Sequence, residues 1–131
     1  MIPKFRAYYA EKMWYVAKID LWGDPEQTTC DLAPYLPKYD ELFDIPLIET
    51  ALMQSTGLKD ENGVEIFEGD LVEHDDNING TWETFEACEI VYDVEYAQFC
   101  FKNDASNFLS YYRNLCIIGN IHENTELLEV K

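Results

Sequence analysis

Between Cys88 and Val94 apolar and polar residues alternate, with Cys88, Ile90, Tyr92 and Val94 in one phase and Glu89, Val91 and Asp93 in the other. A period of two places successive side chains on opposite faces and predicts a half-buried strand. Beyond Glu95 the phase slips and Ala97, Phe99 and Phe101 become the apolar set, so a turn or bulge within residues 94–97 makes this segment a hairpin. The opening runs "PKFRAYY" and "MWYVAKIDLW" are aromatic and β-branched, and the "AEK" between them is short enough to fold one strand onto the next. A further strand is predicted in "LIETALMQSTGL". Asn62-Gly63 then marks a tight turn, and Glu68-Gly69-Asp70 a second one that leads into Leu71 and Val72. "CIIGNI" reads as a last buried strand.

Helical signals are few. From Asp24 to Asp44 three prolines, Pro25, Pro34 and Pro37, punctuate a polar excursion with room for one helical turn at "KYDELF". This excursion is internal, because Leu32, Tyr35, Leu36, Leu42 and Phe43 need burial. In "DASNFLSYYRNL" the spacing of Phe108, Leu109, Tyr112 and Leu115, behind a capping Asp104 or Ser106, predicts a short helix near 105–115. Asn124 is positioned to cap a final turn carrying Leu127 and Leu128. The expected fold class is mainly β, a β-rich α+β arrangement of antiparallel strands with a few short helices. Residues 64–122 are expected to curl into a small SH3-like barrel.

The 131 residues fit one domain, 1–131, with the hairpin, excursion and connecting strand in 1–56 and the barrel-like core in 57–131. With 47% apolar residues and 19 aromatics (7 Phe, 9 Tyr, 3 Trp), the chain is expected to fold rather than remain disordered. No apolar run approaches the ~20 residues of a membrane helix, and "MIPKFRAYYAEK" lacks the apolar block of a signal peptide. The expectation is a soluble, intracellular protein that does not touch a membrane. Cys30, Cys88, Cys100 and Cys116 form no CxxC pair and have no histidine at zinc-finger spacing, so they read as reduced core cysteines and no structural zinc is expected.

Charge changes the picture most. Twenty-six acidic against nine basic residues give a net charge of -17, which disfavours direct binding of nucleic acid or an anionic membrane. From Asp60 to Phe101 there are thirteen acidic residues and no Lys or Arg. Ten of them, Glu65, Glu68, Glu73, Asp75, Asp76, Glu83, Glu86, Glu89, Asp93 and Glu95, form a candidate acidic binding face. Duplex DNA carries about one charge per 1.7 Å of axis, whereas same-face carboxylates on one strand recur every ~6.6 Å. Several strands must therefore converge before a protein mimics DNA toward the basic groove of a nucleic-acid-binding protein.

"DDNINGTWETFE", residues 75–86, matches the EF-hand loop pattern, with Asp75, Asn77, Asn79 and Glu86 at ligand positions and Gly80 at the tight turn. The flanks do not support it. An EF-hand loop lies between two helices, but "EIFEGDLVEH" and "ACEIVYDV" carry turn and strand patterns, and Trp82 occupies a position normally given to a small aliphatic. Asn79-Gly80 between two strands is a hairpin connection instead. Neither histidine has a nucleophile beside it in sequence: His74 next to Asp75 and Asp76 reads as a solvated residue, and His122 in "GNIHEN" as a structural or surface one. With no phosphate-cradling glycine loop either, no catalytic residue, cofactor site or metal site is assigned.

The run "LMQSTGLKDENGVEIFEGDLV", residues 52–72, resembles the central motif of the YopX family of bacteriophage and prophage proteins. "IPKFRA" at residues 2–7 and "IIGNIHENTELL" at 117–128 agree with it in order and spacing, whereas 8–51 and 73–116 match only loosely. Tyr8, Ser55 and Thr125 depart from the residues usual there, tryptophan, an aromatic and proline. The resemblance implies a mainly β fold, a phage or prophage origin and no assigned catalytic residue. It also marks Gly57, Gly63, Gly69 and Gly119 as turn positions, Asp70 and Asn120 as backbone-bonding side chains, and Phe5, Leu58, Ile66 and Val72 as core. The expected role is that of a non-enzymatic accessory protein in the cytoplasm of a bacterial host, binding a host or phage protein through the acidic face. The alternatives are a self-assembling homo-oligomeric module and a weak calcium binder.

Overall fold

The computed structural model describes residues 4–21, 24–35, 40–78, 80–102, 104–108 and 115–129. They form eleven strands, two single-turn 3-10 segments and one short helix, so the chain is mainly β and its pairings are antiparallel. Two compact units divide the chain, residues 1–54 and 55–131. No helix among the described residues is long and apolar enough to cross a membrane.

In the first unit β1 (Phe5–Tyr9) and β2 (Lys12–Asp20) form the predicted N-terminal hairpin, joined by Ala10 and Glu11. Both connecting residues have positive φ, 51° and 62°, the geometry whose twist matches that of the flanking strands. β2 pairs with β3 (Thr29–Pro34), and β3 with β4 (Leu42–Pro46). Register sets the core: Ala7 opposes Trp14, Val16 opposes Leu32, Ile19 opposes Cys30, and Leu42 and Ile45 continue the same face. These residues close into one apolar cluster in which Ala7, Trp14, Cys30 and Leu32 are buried. The Trp14 indole N–H donates to the Tyr9 carbonyl at 2.9 Å, so its polar atom is satisfied inside that cluster. Of the "KYDELF" turn, Lys38 and Tyr39 lie outside the described residues, while Leu42 and Phe43 belong to a strand.

β5 (Ala51–Lys59) runs through the junction: residues 51–54 pair with β1, and Ser55 and Lys59 with β6 (Glu65–Phe67). In the second unit β7 (Asp70–Ile78), β8 (Thr81–Asp93), β9 (Gln98–Phe101), β10 (Asp104–Phe108) and β11 (Cys116–Asn120) form a sheet in the order β10-β9-β8-β7-β11. Helix α1 covers Glu126–Glu129. Ile66, Val72, Ile90, Phe101 and Leu115 are the buried centre, with Leu58, Cys88, Phe99 and Ile117 packed against it. Each aliphatic side chain fully removed from water contributes about 1.5–3 kcal/mol, so this cluster is the main stabilising element of the unit.

The alternation is realised as β8 as far as Asp93, whereas Val94 is exposed in a turn over 94–97, where the phase slips and Ala97 takes φ 53°. Two expectations are corrected, a helix start at 104–108 and turns at Gly57 and Gly119. Residues 104–108 are a strand paired with β9 rather than the start of a helix, and 109–114 lie outside the described residues. Among the described residues no pairing joins β10 to β11. Gly57 and Gly119 lie within strands, not turns. Gly57 has φ 79° where the β5–β6 register shifts, and a Cβ on Gly119 would sit 2.6 Å from Asn124 Oδ1.

Candidate interaction surface

The longest paired segment of the second unit is the hairpin of β7 and β8. Near its base β11 flanks β7 over residues 70–73, and β9 flanks β8 over 90–93. Between these, from His74 opposite Phe85 to Ile78 opposite Thr81, the described residues show only the two strands paired with each other. A bulge marks the base of this ribbon, where Glu86 and Ala87 oppose the single residue Glu73 and Ala87 takes φ 54°. "DDNINGTWETFE" is therefore a β-ribbon around the Asn79-Gly80 connection, with Gly80 at φ 85° and strands where an EF-hand requires helices. Asn79 itself lies outside the described residues, and no group of three or more His, Cys, Asp or Glu among the described residues could hold a metal ion.

The ten acidic residues stand on β6, β7 and β8 and in the turns beside them. Four stand on the ribbon: Asp75 and Asp76 on β7, Glu83 and Glu86 on β8, with Asp76 and Glu83 register partners. Asp75 is exposed and accepts a hydrogen bond from the Thr84 hydroxyl at 2.6 Å. Trp82, two residues along from Thr84 and therefore on the same face, is 67% exposed. Glu73 lies at the ribbon's base across from Cys116. The remaining five have local tasks or positions. Glu65 accepts from the Ser55 hydroxyl, and Glu89 meets the Lys102 ammonium at 3.7 Å. Asp93 caps the following turn by accepting from the Glu95 and Tyr96 amides, while Glu68 sits in the turn before β7 and Glu95 is exposed in the turn after β8.

His74 is buried, contrary to its reading as a solvated residue. Its ring stacks on Phe101 at 4.5 Å and on Phe85 at 5.2 Å, because it shares the alternation phase of core residue Val72. The neighbouring acids Asp75 and Asp76 obscured that phase in the sequence. His122 is half-buried, with its backbone N–H donating to Asn120 Oδ1 at 3.0 Å. The cysteines are all free thiols, with Cys30 and Cys100 buried. Burial, then the carboxylates of Glu61, Glu73 and Asp60, push the Cys116 thiol above its ordinary range.

The polar residues singled out by sequence hold the second unit's turns. Asp70 Oδ2 accepts from the Phe67 amide at 2.8 Å across the Glu68-Gly69 turn, where Gly69 has φ 82°. Asn120 Oδ1 accepts from His122 and Glu123, and Asn124 Oδ1 accepts from Asn120. Asn124 thus ties β11 to the segment after it.

The family model described as YopX protein matches residues 4–129. Among solved structures, the chain is similar to protein EF1440 from Enterococcus faecalis, with 32% identity and a TM-score of 0.56, over 98% of this chain and 99% of that one. A search of curated proteins finds no match.

Proposed function

The chain belongs to the YopX family, and from the charge carried on its long hairpin we propose that it is a non-enzymatic accessory protein that binds a basic protein partner. The observation that carries this reading is the ribbon of residues 74–86. It holds Asp75, Asp76, Glu83 and Glu86, and no Lys or Arg occurs anywhere from Asp60 to Phe101. Like charges placed close together on a two-stranded element repel one another and gain most by meeting cations, which speeds encounter with a basic surface and selects against acidic ones. The exposed Trp82 adds an aromatic face able to receive an arginine or lysine side chain. A nucleic-acid-binding protein of the host or of a phage is the partner class with the matching basic groove, and a phage or prophage origin with action in the bacterial cytoplasm goes with it. The distribution of acids over turns and strands favours contact along the ribbon over mimicry of a whole duplex.

The test is affinity capture from bacterial lysate at low and high salt with two baits, the native chain and the quadruple variant Asp75→Asn, Asp76→Asn, Glu83→Gln, Glu86→Gln. We expect a basic protein retained by the native chain at about 0.1 M salt, released as salt rises, and lost from the variant. Equal retention by both baits would remove the ribbon from the interaction.

A further inference from the structure

An unpaired strand edge presents a row of backbone donors and acceptors to any extended chain that reaches it. β4 is a poor template: Asp44 has φ 55°, its N–H is directed to Asp31 Oδ1 at 3.1 Å, and the strand ends at Pro46. β11 is occupied along its outer side, where Ile117 N–H donates to Asp60 Oδ2 at 3.2 Å and the Leu115 carbonyl accepts from Glu61 N–H at 2.8 Å. The distal part of β8, residues 81–85, differs from both. Among the described residues it pairs with β7 on one side and with nothing on the other, since β9 reaches only residues 90–93. Its sequence, "TWETF", is rich in strand-forming residues and contains no Pro, Gly or Lys to blunt it. Trp82 stands exposed within it.

We propose that the outer edge of residues 81–85 is a strand-addition site for an extended, arginine- or lysine-rich segment of a partner protein. The unpaired backbone and Trp82 make the site, and charge chooses its occupant. A second copy of this chain pairing antiparallel at the same edge, centred on residue 83, would set Glu83 of one copy opposite Glu83 of the other, with no Lys or Arg on either ribbon to offset them. A basic strand reverses the sign at that position. Main-chain hydrogen bonds then supply affinity, and alternate side chains meeting the ribbon's acids and Trp82 supply selectivity. The Glu86-Ala87 bulge ends the site, because beyond it the edge turns away and β9 takes over.

This inference rests on the basic-partner reading above, and one experiment separates the two. The full chain is titrated at low salt with a synthetic peptide of alternating arginine and threonine, and with the same peptide N-methylated at every second residue, which keeps the charge but removes the donors of one edge. Binding is followed by amide chemical shifts and amide exchange. We expect the unmodified peptide to shift and protect the amides of 81–85, and the methylated one to bind at least about tenfold more weakly, the loss of one or two net hydrogen bonds. Equal binding of the two peptides overturns strand addition and leaves the charge-based reading standing. Binding of neither overturns both. Protection of 81–85 that grows with protein concentration in the absence of peptide overturns the choice of occupant in favour of a second copy.

Discussion

The Asp60 carboxylate accepts three backbone N–H groups: Asn62 and Val64 at 2.9 Å through Oδ1, and Ile117 at 3.2 Å through Oδ2. It is buried, and it ties the 60–64 turn to β11, where Glu61 N–H also donates to the Leu115 carbonyl. Removing it strands three donors at a site water reaches poorly, so Asp60→Ala should destabilise the second unit by about 2–3 kcal/mol. Urea unfolding followed by amide exchange of residues 55–131 measures this, and a loss below about 0.5 kcal/mol would show that water replaces the carboxylate. Of the residues that matter locally, Asp70 and Asn120 were legible through the family resemblance, which marks both as backbone-bonding side chains, and each accepts backbone N–H groups at a turn. His74 was not. Its burial depends on which side of β7 faces Phe101, a long-range fact that three adjacent acidic or polar neighbours hide.

Elements were legible where a local rule decides them. Alternation gave β8, and a short connection gave the β1–β2 hairpin. That hairpin uses Ala10 and Glu11, both exposed, at φ values that cost an L-residue with a Cβ about 1–2 kcal/mol each relative to glycine. Replacing the pair with Asn-Gly suits the same turn without altering any contact of the core. Ala10→Asn with Glu11→Gly should therefore stabilise the first unit by roughly 1 kcal/mol, less than the full strain because glycine also loosens the unfolded chain. A thermal melt of the double variant with no upward shift would mean that the turn relaxes away from this geometry in solution. β10 shows the opposite case: Phe108, Leu109, Tyr112 and Leu115 satisfy a helical spacing, yet 104–108 pair with β9. A short aromatic run carries both periods, and only a partner strand distant in space breaks the tie. The strand order β10-β9-β8-β7-β11 was illegible for the same reason, since order is a statement about several segments rather than about any one of them.

At the scale of the whole molecule, charge is set by composition but its consequences depend on placement. Residues 55–131 carry seventeen acidic and four basic side chains, while residues 1–54 carry nine and five. Two ion pairs among the described residues, Lys18–Asp20 at 3.3 Å and Lys102–Glu89 at 3.7 Å, have lysines that are mostly exposed, and such pairs contribute little. Like-charge repulsion should therefore outweigh attraction in the folded chain, more so in the second unit. Sodium chloride, which shortens the screening length from about 30 Å at 0.01 M to about 10 Å at 0.1 M, should stabilise the protein. Chloride is the appropriate salt because sulfate strengthens apolar burial on its own account and would confuse the two effects. The expected result is a higher urea midpoint at 0.1 M than at 0.01 M, with amide exchange slowing more in residues 55–131 than in 4–54. A midpoint that falls with salt would mean that attractive pairs dominate. It would also mean that the ribbon's carboxylates are already neutralised within the chain, leaving less charge to attract a basic partner.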